Sequence, residues 1–343
     1  MVDSTRILFI RPRGGKNAVF MTVDKEILSK HFRVQVLDAV WREKGMLSVI
    51  LVPLRILKGT LQSDVTFTWF AGAHAFFSVL WSRMLGKKSI VTVGGWEVAR
   101  VPEIRYGLSF TPMAPFVRYT LNHADLVLVV DESLKTQAIE NIGAIGSNIR
   151  TVPIGCDYDV FKPAGSKEAI ALTVGMVGGD GPRRKGIDVF MKASRFLPDV
   201  KFIWIGGPVD ESTKELRALG GDNVESMGRI PFEELLSIFQ KAKVYCQLSL
   251  REGLPAALCE AMLCECVPVG SNLCGIPVVI GDTGFLVPVS DQKAAADAIR
   301  KALESDKGPK ARERIRTLFP IERRERELVQ SVDGLTGKYI SNR

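Results

Sequence analysis

Short, mostly apolar runs alternate with longer stretches of helical periodicity along this chain. Runs at 6–10, 34–37, 65–69, 89–93, 126–130 and 150–153 are bounded by charged or turn residues and are too short for helices. They read as buried strands. Between them, 73–84 and 133–142 carry apolar residues at helical spacing. The alternation restarts after Phe161-Lys162-Pro163-Ala164-Gly165, with strands at 171–177, 201–205, 244–247 and 267–270. Helices are expected there at 187–196, 232–240, 255–262 and 292–303. Strands alternating with helices predict parallel sheets joined by right-handed crossovers. The pattern therefore predicts an α/β chain of two Rossmann-like, doubly wound domains, over 1–160 and 167–320. A helical tail is expected over 321–343, and the alternating charges of 312–329 predict a solvated helix. Ligands of such sheets bind beyond the carboxyl ends of the strands. Two such domains predict one central cleft.

Bulk properties narrow the function classes. A chain of 343 residues suits two domains, each long enough to bury a core. The net charge of +8 leans toward the first 160 residues, where 19 basic side chains face 14 acidic ones. That balance suits phosphorylated ligands or an anionic membrane surface, or is simply a basic solvated surface. Nucleic acid is not expected, because no aromatic-basic stripe or zinc-finger pattern occurs. The apolar run at 7–10 is too short for a secretory signal, so the chain is expected to be cytoplasmic. The candidate span at 46–57 is short and carries Pro53 and Arg55, which are expected to break it. The segment 40–57 reads as a buried crossover helix, with a membrane-lying helix as the alternative. Six cysteines lack paired Cys-x-x-Cys spacing or a nearby His, so reduced buried thiols are expected and no metal site.

The chemistry concentrates after the predicted strands. Residues 249–262 follow one strand and open a helix, with Pro255 suited to its first turn. The free N–H groups and positive end of such a helix favour a phosphate. Glu252 lies in the preceding loop and Glu260 within the helix, so both can face the ligand side. The plainer alternative is a capping carboxylate plus a surface Glu. The loop 177–186 carries Arg183-Arg184-Lys185-Gly186 after the first strand of the second domain. Gly14-Gly15 follows the first strand of all, and small residues there let backbone approach a phosphate. No G-x-G-x-x-G is present, which argues against a nicotinamide oxidoreductase. Asp157-Tyr158-Asp159 mimics a metal-binding Asp-x-Asp motif but lies in a linker-like turn.

The segment from Ser249 to Met262 resembles the Glu-x7-Glu motif of the retaining GT-B glycosyltransferases of family four. Ala124 to Leu134, Val152-Pro153-Ile154-Gly155-Cys156-Asp157 with Phe161 and Pro163, Gly275-Ile276-Pro277 and Thr283 to Val287 are similar to that family's other motifs, in the same order. The resemblance runs through nearly the whole chain and is strongest after residue 120. It implies that Glu252 contacts donor-sugar hydroxyls, Glu260 the nucleotide ribose, and the backbone of Gly253, Leu254, Pro255 and Ala256 the diphosphate. Lys185 matches the family's phosphate-neutralising Lys. The family's Arg position holds Met176, which leaves Arg183 or Arg184 to supply that charge. Gly228-Arg229-Ile230-Pro231 resembles the segment whose backbone contacts the base, and Gly14-Gly15 the loop facing donor and acceptor. Gly94-Gly95-Trp96-Glu97 stands where many relatives carry a His, so Trp96 and Glu97, with His74, become acceptor candidates.

These features predict a GT-B enzyme moving a hexosyl or N-acetylhexosaminyl group from a nucleotide-sugar donor to a glycan or lipid-linked acceptor. The N-terminal domain would bind acceptor and the C-terminal domain donor, with no metal or other cofactor and a peripheral place on an anionic membrane. The alternative is a non-catalytic nucleotide-sugar or membrane-binding module on the same fold.

Overall fold

The structure, a computed structural model, describes residues 3–12, 18–40, 47–175, 181–207 and 211–337. The chain divides into two compact units, Met1–Gly155 with Glu322–Arg343, and Cys156–Ile321.

In the first unit, the described strands are β1 (Arg6–Pro12), β2 (Arg33–Ala39), β3 (Val65–Trp69), β4 (Lys88–Val93), β5 (Leu126–Val129) and β6 (Ile149–Thr151). They form one parallel sheet in the order β2-β1-β3-β4-β5-β6. Strand β3 is buried along its whole length, as a two-sided sheet requires. The order reverses between β1 and β3, which is the switch point of this sheet. Leu8 and Ile10 pack with Leu37, Ala39, Val52 and Ile56 on one face.

Val52 and Ile56 belong to the helix Leu47–Leu61, which runs through Pro53 without breaking. The expected interruption at Pro53 and Arg55 is therefore corrected. The helix does pack on the sheet as a crossover, yet Val49, Ile50, Leu54 and Leu61 on its other side are each more than half exposed. Among the described residues no helix is long and apolar enough to cross a membrane.

The second unit contains β7 (Glu168–Val174), β8 (Lys201–Ile205), β9 (Val224–Met227), β10 (Ala242–Gln247), β11 (Val267–Ser271) and β12 (Phe285–Val287). These described strands are parallel in the order β12-β11-β10-β7-β8-β9. That is the order of a dinucleotide-fold sheet, with its switch point between β7 and β10. Helices Ile187–Ser194 and Gln292–Glu304 cover one face, burying Phe190, Met191, Ala295 and Ile299 against Phe202, Trp204 and Val267.

The charged C-terminal stretch is not a single solvated helix. It forms two helices, Gly308–Leu318 and Ile321–Thr336. The second lies in the first unit, whereas the charge pattern suggested a separate tail. Arg324 is 1% exposed and donates Nε and Nη2 to Asp24 at 3.0 and 2.7 Å. Its Nη1 donates to the Val152 and Pro153 carbonyls, its guanidinium lies over the Trp69 ring, and Trp69 Nε1 donates to the same Asp24. A buried, bidentate partner overrides the solvated reading of an alternating-charge sequence.

Candidate functional site

Glu252 and Lys185 meet at the switch point of the second sheet, where β7 and β10 end. Lys185 Nζ lies 2.6 Å from Glu252 Oε1, with both side chains mostly buried. Ser249 Oγ and Gln247 Nε2 donate to the same oxygen at 2.9 and 3.2 Å. Gln247 also donates to Ser249, and Tyr245 donates to the Gln247 side-chain oxygen. One carboxylate oxygen of Glu252 is thus held by three donors, and the second accepts from no described residue. Glu252 is not a helix cap, because its partners are side chains rather than helix N–H groups.

Backbone geometry explains how Lys185 reaches this place. Gly186 sits at φ 65°, and a Cβ there would stand 2.0 Å from the Leu248 carbonyl oxygen. Only glycine permits so close an approach. The loop is further fastened by Leu250 N donating to the Arg184 carbonyl at 2.8 Å. The Lys185-Gly186 pair is therefore pressed directly onto the end of β10. Arg183 is exposed beside it and Arg184 is half-buried.

The helix after this loop spans Ala256–Leu263. Pro255 stands at its N-cap rather than in its first turn. No side chain caps its leading N–H groups, which lie beside buried Gly253 and Leu254. Glu260 lies half-buried on this helix, and burial pushes its carboxyl up to about 7. It is not the surface Glu of the plainer alternative. Burial, followed by the charges of Glu260 and Glu252, pushes the Tyr245 phenol well up, so one buried ring lies near both glutamates. Arg229 is exposed and Ile230 half-buried in the turn after β9.

The first-unit candidates divide. Gly14 and Gly15 lie outside the described residues, as does Met176. His74 is buried, and burial lowers its pKa, favouring the neutral ring; Nε2 donates to the Trp69 carbonyl at 2.8 Å. Glu97 is fully buried and accepts from the N–H groups of Ala71, Gly94 and Gly95. Burial raises its pKa, while those backbone donors oppose the rise. Both side chains fasten the loops after β3 and β4, and only Trp96 of the three is exposed. The structure does not bring these three together as one polar surface.

Gln247, Tyr245 and Arg251 were not among the residues singled out by sequence. A Gln at the last, inward position of an apolar strand was the available signal for the first. Asp157 accepts from the N–H groups of Asp159 and Val160, so it closes a turn. Among the described residues no group of three or more His, Cys, Asp or Glu is placed to hold a metal ion. All six cysteines are free, and Cys274 is the one not fully buried.

Residues 162–317 match the family model described as Glycosyl transferases group 1. That stretch, most of the second unit, is similar to that family. The chain's relatives include a component of the phosphatidylinositol N-acetylglucosaminyltransferase of Arabidopsis thaliana, 25% identical over 61% of this chain and 49% of that protein. The D-inositol 3-phosphate glycosyltransferase of Mycobacterium tuberculosis is 29% identical over 56% of this chain and 44% of the relative. The chain therefore spans about half the length of the curated relatives it matches. Among solved structures, sucrose-phosphate synthase from Thermosynechococcus elongatus superposes with a TM-score of 0.78 at 18% identity, covering 97% of this chain and 99% of that one. HepE of Anabaena, in complex with UDP and glucose, gives a TM-score of 0.78 at 15% identity, covering 96% and 99%. The fold is the GT-B type, with two Rossmann-like α/β units.

Proposed function

We propose that this chain is a retaining glycosyltransferase that moves a sugar from a nucleoside-diphosphate sugar to a glycan or lipid-linked acceptor. The observation that carries the proposal is the Lys185–Glu252 pair at the switch point, beside the uncapped start of Ala256–Leu263. The cation and the helix N–H groups suit a diphosphate. The second oxygen of Glu252 suits a hydroxyl of the transferred sugar, and Glu260 the ribose. As the sugar C1–O bond to the diphosphate breaks, Lys185, the basic Arg183-Arg184 pair and the helix N-terminus stabilise the departing charge. The departing phosphate oxygen takes the proton of the acceptor hydroxyl, whose oxygen bonds to C1 on the same face. The protein positions the reactants, and no metal is needed.

The names of the inositol-linked relatives and the UDP and glucose bound to HepE support this direction. Donor binding falls to 167–320 and acceptor binding to 1–160, where Trp96 offers an exposed ring. The outward apolar face of Leu47–Leu61, with Arg55 and Lys58 exposed on it, supports peripheral placement on a cytoplasmic membrane surface.

The test begins with thermal unfolding in UDP, GDP, ADP and their sugars, since ligand bound to the native state raises the transition. With the donor identified, Glu260→Gln is expected to weaken nucleoside-diphosphate binding and raise KM. Glu252→Gln is expected to leave that binding unchanged and lower kcat by about two to three orders of magnitude. Activity is expected to survive EDTA. Normal turnover by Glu252→Gln refutes the site assignment. Donor binding without turnover by the unaltered protein favours the non-catalytic module instead.

A further inference from the structure

Arg251 stands immediately before Glu252, in the loop at the end of β10, and is more than nine-tenths buried. Its Nη1 lies 3.7 Å from the Sγ of Cys274, in the loop after β11. Its Nε and Nη2 are buried, and among the described residues no group accepts from either. A buried guanidinium without a carboxylate runs against the rule that interior charges are paired.

The two orphaned donors lie on one edge of the planar guanidinium. That edge is the fork that takes two oxygens of a carboxylate or phosphate at once. Described arginines use it elsewhere on carboxylates. Arg6 gives Nε and Nη2 to the two oxygens of Asp64, and Arg324 does the same to Asp24. Arg251 offers the same edge at the end of the sheet where the helix Ala256–Leu263 begins uncapped.

We propose that Arg251 is a bidentate oxyanion receptor within the donor site, distinct from the basic loop at Arg183 to Lys185. This rests on the proposed donor site and adds a residue to it. The oxyanion is either a phosphate of the donor's diphosphate or the carboxylate of a uronosyl donor. The orphaned edge is shut off from bulk water, so the ligand reaches it as the loop carrying Cys274 gives way. Cys274 holds a φ of 54°, an unfavoured conformation for a residue with a side chain.

The test compares wild type, Arg251→Lys and Arg251→Met by calorimetric titration with uridine, UDP, UDP-glucose, UDP-glucuronate and pyrophosphate. If UDP is not the nucleotide bound, the matching GDP or ADP series replaces it. The expected result is a loss of about ten- to hundredfold in affinity for the oxyanion-bearing ligand in both variants, the price of one charged two-point contact. Uridine affinity stays unchanged. A loss shared by UDP and pyrophosphate assigns the diphosphate; a loss confined to UDP-glucuronate assigns the carboxylate. Arg251→Met is also expected to raise the unfolding temperature of the unliganded protein, because it removes an unpaired interior charge. A structural role predicts the opposite sign. Wild-type affinities for every probe in Arg251→Lys overturn the proposal, and so does a wild type that binds neither pyrophosphate nor any nucleoside diphosphate. Nucleotide binding by wild type that is untouched by the variants overturns Arg251 alone and leaves the donor site standing.

Discussion

The clasp between Asp24 and Arg324 decides whether the last helix is part of the first unit's core. Asp24 is 2% exposed and accepts from Arg324 Nε, Arg324 Nη2 and Trp69 Nε1. Replacing Arg324 by Met keeps much of the apolar contact with Trp69 but removes the charge facing Asp24. It also strips a donor from the Val152 and Pro153 carbonyls. Breaking one side of a buried ion pair costs about 3–5 kcal/mol. For a unit of this size each kcal/mol moves the transition by about 2–4 °C. Arg324→Met is therefore expected to lower the first unit's transition by about 6–20 °C. Asp24→Leu is expected to cost at least as much, because it orphans both the guanidinium and the Trp69 N–H. The double variant removes both charges together and should cost less than either single change. Calorimetry on the four proteins gives the coupling directly. Single-variant costs below about 1 kcal/mol, or simple additivity in the double variant, contradict the clasp as a source of stability.

Further outcomes follow from the site and the first unit's surface. Burial raises the Glu260 carboxyl to about 7, so the folded protein resists its ionisation from the usual carboxylate range up to that pH. If ribose hydroxyls need the ionised form, nucleoside-diphosphate affinity falls as pH drops through 7, and Glu260→Gln flattens that profile. The same Gln variant is expected to stabilise the unliganded protein above pH 7 and to make no difference below about pH 4, where the glutamate is protonated in both states; equal effects at both pH values contradict it. Gly186→Ala forces Lys185 off β10 and is expected to destabilise by more than about 1 kcal/mol while lowering kcat/KM; a wild-type rate removes the argument for that contact. Binding to anionic vesicles is expected to weaken with salt and to disappear in Ile50→Glu with Leu54→Glu, whereas equal pelleting with neutral vesicles speaks against the helix face.

The central strands were legible because burial on both faces restricts them largely to apolar residues and the occasional threonine or serine. Val65–Trp69 and Lys201–Ile205 match their apolar runs residue for residue. The edge strands Val224–Met227 and Phe285–Val287 were missed because an edge needs fewer apolar positions, and Glu225 and Leu286 both face outward. Glu211–Ala218, polar along most of its length, gave no apolar stripe to read. The helix at 133–142 ends in a wider turn, Ala138–Ile142, because Gly143 at φ 76° closes it. Charge alternation misled over the last helix, since a pattern along one element says nothing of an Asp 300 positions away.

The same limit explains which half of the site spacing alone could bring together. Glu252, Pro255 and Glu260 share one loop and one helix, so their spacing alone puts them together. Lys185 arrives from 67 positions earlier, and what joins it to Glu252 is the adjacency of β7 and β10. That adjacency belongs to the strand order, which alternating elements imply only as a class of topologies. Gln247 and Ser249 needed still more, because a polar residue at a strand end is ordinary until the carboxylate it serves is in place. They fix one oxygen of Glu252 while no described residue donates to the other, so their removal should loosen the carboxylate rather than abolish its charge. Gln247→Leu is accordingly expected to lower kcat while sparing nucleoside-diphosphate affinity. A Gln247→Leu enzyme with unchanged kcat shows that Lys185 and Ser249 suffice to orient Glu252.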